Sequence, residues 1–199
     1  MLVTAMVRRA VVALAAAATF LASCALPSAV GPPDGSQSSS GPVCSPTPPA
    51  TDPTACNTLF NTALWTSSVY RPGATPPTPQ GGPLADGIYE CTALDTYGSG
   101  GSGERMQVRD TVVVTDGGTT LWWANDALDT NANMIETVRG NTTASFQGNL
   151  VTFTETCGVA VIPWNVGFTA NPDGFLLFDQ GDPLLWVYTF SRSRCSGGD

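Results

Sequence analysis

Thirteen of the 16 prolines of this 199-residue chain lie between Pro27 and Pro83, and that asymmetry divides the chain in two. From Asp86 onward proline nearly disappears, and β-branched and aromatic residues come in short runs separated by Gly, Asn and Asp. Eight such runs read as strands: 87–97, 104–115, 119–125, 134–147, 149–157, 163–170, 174–179 and 183–192. The turns between them have a chemical basis. Asp116-Gly117-Gly118, Gln147-Gly148-Asn149 and Asn171-Pro172-Asp173-Gly174 each supply a positive φ or a preset turn.

Alternation within the runs assigns faces. Leu184, Trp186, Tyr188 and Phe190 share one face of the last strand, and Met106, Val108, Val112 and Val114 share one face of the second. Asp110 interrupts the latter row, which implies a bulge or a polar interior position. About eight consecutive antiparallel strands leave unpaired edges unless the sheet closes, so the expected fold is all-β, a single up-and-down barrel over 86–199. A β-sandwich is the alternative. Residues 24–85, rich in Pro, Gly and Ser, cannot bury enough apolar area to offset their ordering entropy and read as a spacer. The apolar stretch 54–70 interrupts it, either as a short element (a helical turn after Asn57) packed on the barrel or as an unstructured patch.

Residues 1–23 have the form of an export signal. Arg8 and Arg9 precede an apolar run over 10–22 that is too short to span a bilayer. The run ends in Leu21-Ala22-Ser23-Cys24, which resembles the lipobox of bacterial lipoproteins. That resemblance implies that Cys24 carries diacylglycerol and becomes the mature N-terminus, anchored stably by two or three acyl chains. Ala25 resembles the sorting position of outer-membrane lipoproteins, so the expected location is the cell envelope, facing the periplasm or the cell surface.

Within the strand-rich part, Gly87-Ile88-Tyr89 opens the first strand and Arg192 closes the last. The pair resembles the Gly-x-Trp and terminal Arg of lipocalin-like (calycin) barrels, with Tyr in place of Trp. The resemblance implies that Arg192 stacks on Tyr89 to plug one end, and that the barrel can hold a small apolar ligand at the other.

Composition excludes several chemistries. All 8 basic residues are arginine, and the chain has neither lysine nor histidine. Nucleophilic dyads built on His, Schiff bases and the commonest metal ligand are therefore absent. Beyond the export signal 6 arginines face 16 acidic residues, a field that repels nucleic acid and anionic headgroups. Neither a cofactor nor a metal is expected. Asn125, Asp126, Asp129, Asn131 and Glu136 read as a solvated acidic loop whose spacing fits no calcium motif, and Asp173, Asp179 and Asp182 read the same way. Glu90, Glu136 and Glu155 could furnish a glycosidase-type carboxylate pair, but solvated charges are the default, and the protein is not expected to be an enzyme.

Five cysteines remain once Cys24 is set aside: Cys44, Cys56, Cys91, Cys157 and Cys195. An odd set leaves one thiol unpaired. The expected bridges are Cys44–Cys56, with Cys157–Cys195 or Cys91–Cys157. Trp122, Trp123, Trp164 and Trp186 are candidate core or ligand-contacting aromatics, and the adjacent pair Trp122–Trp123 must face opposite sides of a strand. Asn141-Thr142-Thr143 matches a glycosylation sequon, a coincidence in a bacterial export context. The expected role is thus a lipid-anchored envelope protein that binds a small apolar ligand or an envelope partner. The alternative is a structural or surface-interaction lipoprotein with a filled core.

Overall fold

The computed structural model describes residues 46–52, 56–99, 106–129, 134–157, 163–181 and 183–194. Cys24, Cys44 and Cys195, the export signal with its lipobox, and Asn131 and Asp182 lie outside them. The strands are β1 (Thr51–Asp52), β2 (Cys56–Asn57), β3 (Thr66–Pro72), β4 (Gly87–Gly98), β5 (Met106–Thr115), β6 (Thr120–Asp129), β7 (Met134–Gln147), β8 (Leu150–Glu155), β9 (Trp164–Asn171), β10 (Gly174–Gln180) and β11 (Leu185–Arg192). No helix occurs among the described residues.

The fold is all-β. Strands β4 to β11 pair antiparallel in sequence order, and β11 pairs back onto β4, so the sheet closes on itself. All eight expected strands are present, with shifts at their ends. The ring is not a regular barrel, because β3 wedges between β4 and β5 where those two strands diverge. It runs parallel to β4, pairing Ser68 with Leu94, and antiparallel to β5, pairing Thr66 with Val108. Closure leaves no strand of the ring without a neighbour on either side, although β8 pairs only with Thr142–Gln147 of β7.

Period-two alternation then decides the interior. Tyr89, Val112, Val114, Leu121, Phe153, Phe168, Phe175 and Phe190 point inward and form one buried cluster. Ring contacts knit it together, with Phe175 stacked on Phe190 at 4.5 Å and Tyr89 edge-on to Phe175 at 5.1 Å. At this end, where β4 begins and β11 finishes, the barrel is filled with side chains.

The ordered unit begins well before residue 86. Gly81 pairs with the β9 backbone, donating to Phe168 O at 2.7 Å and accepting from Ala170 N at 2.9 Å. Residues 57–65 run as an extended strap, not a helical turn, over the outer face of β5, β6 and β7. The spacer assigned to 24–85 therefore does not hold for its last part, because its asparagines and amides find partners on the barrel wall.

Candidate functional site

Asn125 and Asp126 show how the wall sorts polar residues. The expected acidic loop is wrong for both: β6 continues to Asp129, so they sit within a strand and face opposite sides. Asp126 points outward beneath the strap. Its carboxylate receives Arg109 Nε at 2.7 Å, Asn61 Nδ2 at 3.0 Å and Arg139 Nη1 at 3.4 Å. Burial alone would raise its pKa, but hydrogen bonds from Thr137, Arg109 and Asn61 and the charge of Arg139 outweigh that and hold it below the usual range. Thr111 Oγ1 donates to Asn61 Oδ1 and accepts from the Thr62 and Ala63 amides, and Asn57 Nδ2 donates to Asn141 Oδ1 at 2.8 Å. The sequon asparagine is thus buried under the strap. Arg109 also lies 4.9 Å from the centroid of the Trp65 ring. These contacts fasten the strap to the outer face of β5, β6 and β7.

The strap is also held covalently. Cys56 pairs with Cys157 across 101 residues, and Cys91 is a buried free thiol. The expected Cys44–Cys56 bridge is corrected, as are both expected partners of Cys157. Cys91 belongs to the buried core and pairs in register with Phe190 of β11. The signal that could have found the true pair was absent, since connectivity does not follow from spacing.

At the filled end, Arg192 and Tyr89 are cross-strand neighbours. Arg192 Nη2 donates to Asp86 O, and Tyr89 Oη donates to Ala85 O at 2.7 Å. Gly87 explains the Gly-x-Tyr spacing: a Cβ there would meet Arg192 Nε at 2.7 Å and Tyr89 Cε2 at 3.2 Å. Only glycine lets the guanidinium lie over the strand at that point.

The interior changes character toward the other end. Asp110 continues the inward row of Val108, Val112 and Val114 without a bulge, and is only 5% exposed. Asn125, directly opposite on β6, donates to its carboxylate. Desolvation raises the Asp110 pKa to about 7 against that hydrogen bond, with the charge of Asp126 adding to the rise. Asp179, Glu155 and Tyr188 are also inward-facing, and burial raises each of them. Tyr188 is within electrostatic reach of both Asp110 and Asp179.

Among the four expected aromatics, Trp186 is core and Trp122 faces outward. Trp123 and Trp164 border the polar region and keep accessible surface. Trp123 donates from Nε1 to Thr142 Oγ1 at 2.9 Å and meets Phe153 edge-on at 5.7 Å. Gly140, opposite Trp123, faces the same interior, and a Cβ there would meet no atom of the described residues within 4 Å. Tyr188 and Gly140 were missed as site residues; the alternating row of β11 carried the signal for Tyr188.

The candidate glutamates do not converge. Glu90 lies outside the ring, accepting from Thr62 Oγ1 at 2.7 Å, while Glu155 lies inside. Asp173 sits in the β9–β10 turn, paired with Arg194 at 3.1 Å. No group of three His, Cys, Asp or Glu could hold a metal among the described residues.

No family model, curated protein or solved structure matches this chain.

Proposed function

We propose that this chain is a lipid-anchored protein of the bacterial cell envelope that takes a small, largely apolar ligand into the end of its barrel away from Arg192. The observation that carries the ligand half is the inner wall at that end. A Cβ on Gly140 would meet no described atom within 4 Å, and the inward-facing Trp123, Trp164 and Tyr188 are only partly buried. A pocket with aromatic walls and a few polar groups is the ordinary form of a small-molecule site. The anchor rests on the likeness of residues 21–24 to a lipobox, with Cys24 as the acylated residue and the outer membrane as the expected address. The opposite placement of Glu90 and Glu155 argues for a binding protein over a glycosidase.

A second reading, a structural or surface-interaction lipoprotein, draws on the solid packing near Tyr89 and on the exposed side chains of Phe60 (76%) and Leu64 (85%). The two separate by titrating the full chain, held in lipid nanodiscs, with N-phenyl-1-naphthylamine. Tryptophan-excited emission from the probe, beyond that of empty nanodiscs, supports the ligand reading. Its absence, together with retention of an envelope protein in pull-down that Leu64→Ser abolishes, supports the structural one.

A further inference from the structure

Strand β7 outruns its neighbour β8. We infer that the edge this leaves, residues 134–140, pairs antiparallel with the same edge of a second copy of this chain. The resulting dimer goes beyond the ligand reading and does not depend on it.

One bond fixes the direction of the backbone there. Asn141 O accepts from Thr156 N at 2.8 Å, so the main-chain polar groups of Asn141 point toward the β8 side. Alternation along a strand aims those of Ile135, Thr137 and Arg139 the same way. β8 pairs only with Thr142–Gln147, so these three residues have no main-chain partner on that side among the described residues. No proline or bulge guards the stretch, since the β6–β7 register runs unbroken from Met134 to Thr143. Met134 and Ile135 are 57% and 59% exposed on it. An edge that is unpaired, unguarded and partly apolar is one that recruits another strand.

Self-complementarity selects a second copy as that strand. A twofold axis at Thr137 sets Ile135 opposite the partner's Arg139 and Glu136 opposite the partner's Val138. Ile135, Thr137 and Arg139 of each copy then donate and accept across the axis, and no like charges stand directly opposite. Slipping the register one way sets Glu136 against itself. Slipping it the other way sets Ile135 against Asn141, whose carbonyl Thr156 already holds. One strand pair buries less area than a standard interface, so the expected dissociation constant is on the order of 10 μM.

The test is sedimentation equilibrium of the full chain at about 100 μM in density-matched nonionic detergent. A mass of two chains is expected, falling to one in Ile135→Pro, which removes an amide aimed at the edge and none bonded to β6. Thr137→Cys checks the register by a separate route. Opposite Cα atoms at such a pair stand about 5.5 Å apart, so oxidation is expected to give a dimer on a non-reducing gel, above the background of the native chain. Thr143→Cys, where β8 occupies the edge, is expected to stay at that background. A single-chain mass for the native protein overturns the inference, whatever extended peptide the edge then binds. So does a dimer that survives Ile135→Pro, or one in which Thr137→Cys cross-links no better than Thr143→Cys, because the copies then meet elsewhere.

Discussion

Asn125 and Asp126 are consecutive in β6 and stand on opposite sides of the barrel wall, one donating to Asp110 inside and the other clamped between Arg109 and Arg139 outside. The same strand thus serves two polar systems with different chemistry. The outer one is compensated by cations and fastens the strap. In the inner one Asp110 is held by the neutral amide of Asn125.

The outer clamp sets one stability prediction. Asp126→Ala leaves two guanidinium groups without their carboxylate. Breaking a fully buried pair costs about 3–5 kcal/mol, and Arg109 is partly solvated, so the expected loss is about 2–3 kcal/mol. Urea unfolding followed by tryptophan fluorescence measures it; a change below about 0.5 kcal/mol would show that the clamp contributes nothing.

Reduction of Cys56–Cys157 frees the strap from the end of β8. Loops of this length typically lose about 2–4 kcal/mol when uncrosslinked. Hydrogen exchange is expected to quicken first at the amides of Leu59, Thr62 and Ala63, which donate to Asn57 and Thr111. Exchange that quickens uniformly through the ring instead would mean the strap is not a separate unit.

Asp110 and Asp126 give the fold opposite responses to pH. The folded pKa of Asp110 is raised from 3.8 to about 7, so the fold favours its protonated form. Its contribution is fully present below the unfolded value and is lost as pH rises from about 4 through 7. Asp126 is lowered, so its contribution is present above the unfolded value and lost as pH falls through the folded one. Unfolding midpoints of the native chain should therefore decline between pH 4 and pH 7, and Asp110→Asn should flatten that decline. An unchanged slope in the variant would place the titrating group elsewhere.

Gly87→Ala tests the plug. The added methyl would stand 2.7 Å from Arg192 Nε and 3.2 Å from Tyr89 Cε2, so one of them must shift, an overpacking expected to cost about 1–3 kcal/mol. The paired variant Gly87→Ala with Arg192→Ala should recover part of that loss in thermal unfolding; no recovery would separate the glycine from the arginine.

Much of this was legible in the sequence. The eight antiparallel strands and their turns followed from period-two alternation and from Gly and Asn punctuation, because one face of each strand is buried; for Asp110 alternation left a bulge or an interior position open, and the unbroken β5–β6 register decides for the interior. The strand β3 was not legible: TSSVYRP is polar on both faces and ends in Pro72, and its place depends on β4 and β5 diverging. Asn57 and Asn61 gave no sign of their roles, since a strap that docks by side-chain amides has no periodicity. Trp123 and Trp164 could be named as core or ligand contacts but not sorted, as that depends on Gly140 leaving space beside them.

The central claim is that this space receives the ligand, and Gly140→Leu tests it most directly. The added side chain enters room where a Cβ meets no described atom within 4 Å, so the variant should unfold at the native temperature or above while losing tryptophan-excited emission from N-phenyl-1-naphthylamine. Undiminished emission from a folded Gly140→Leu protein would contradict the account.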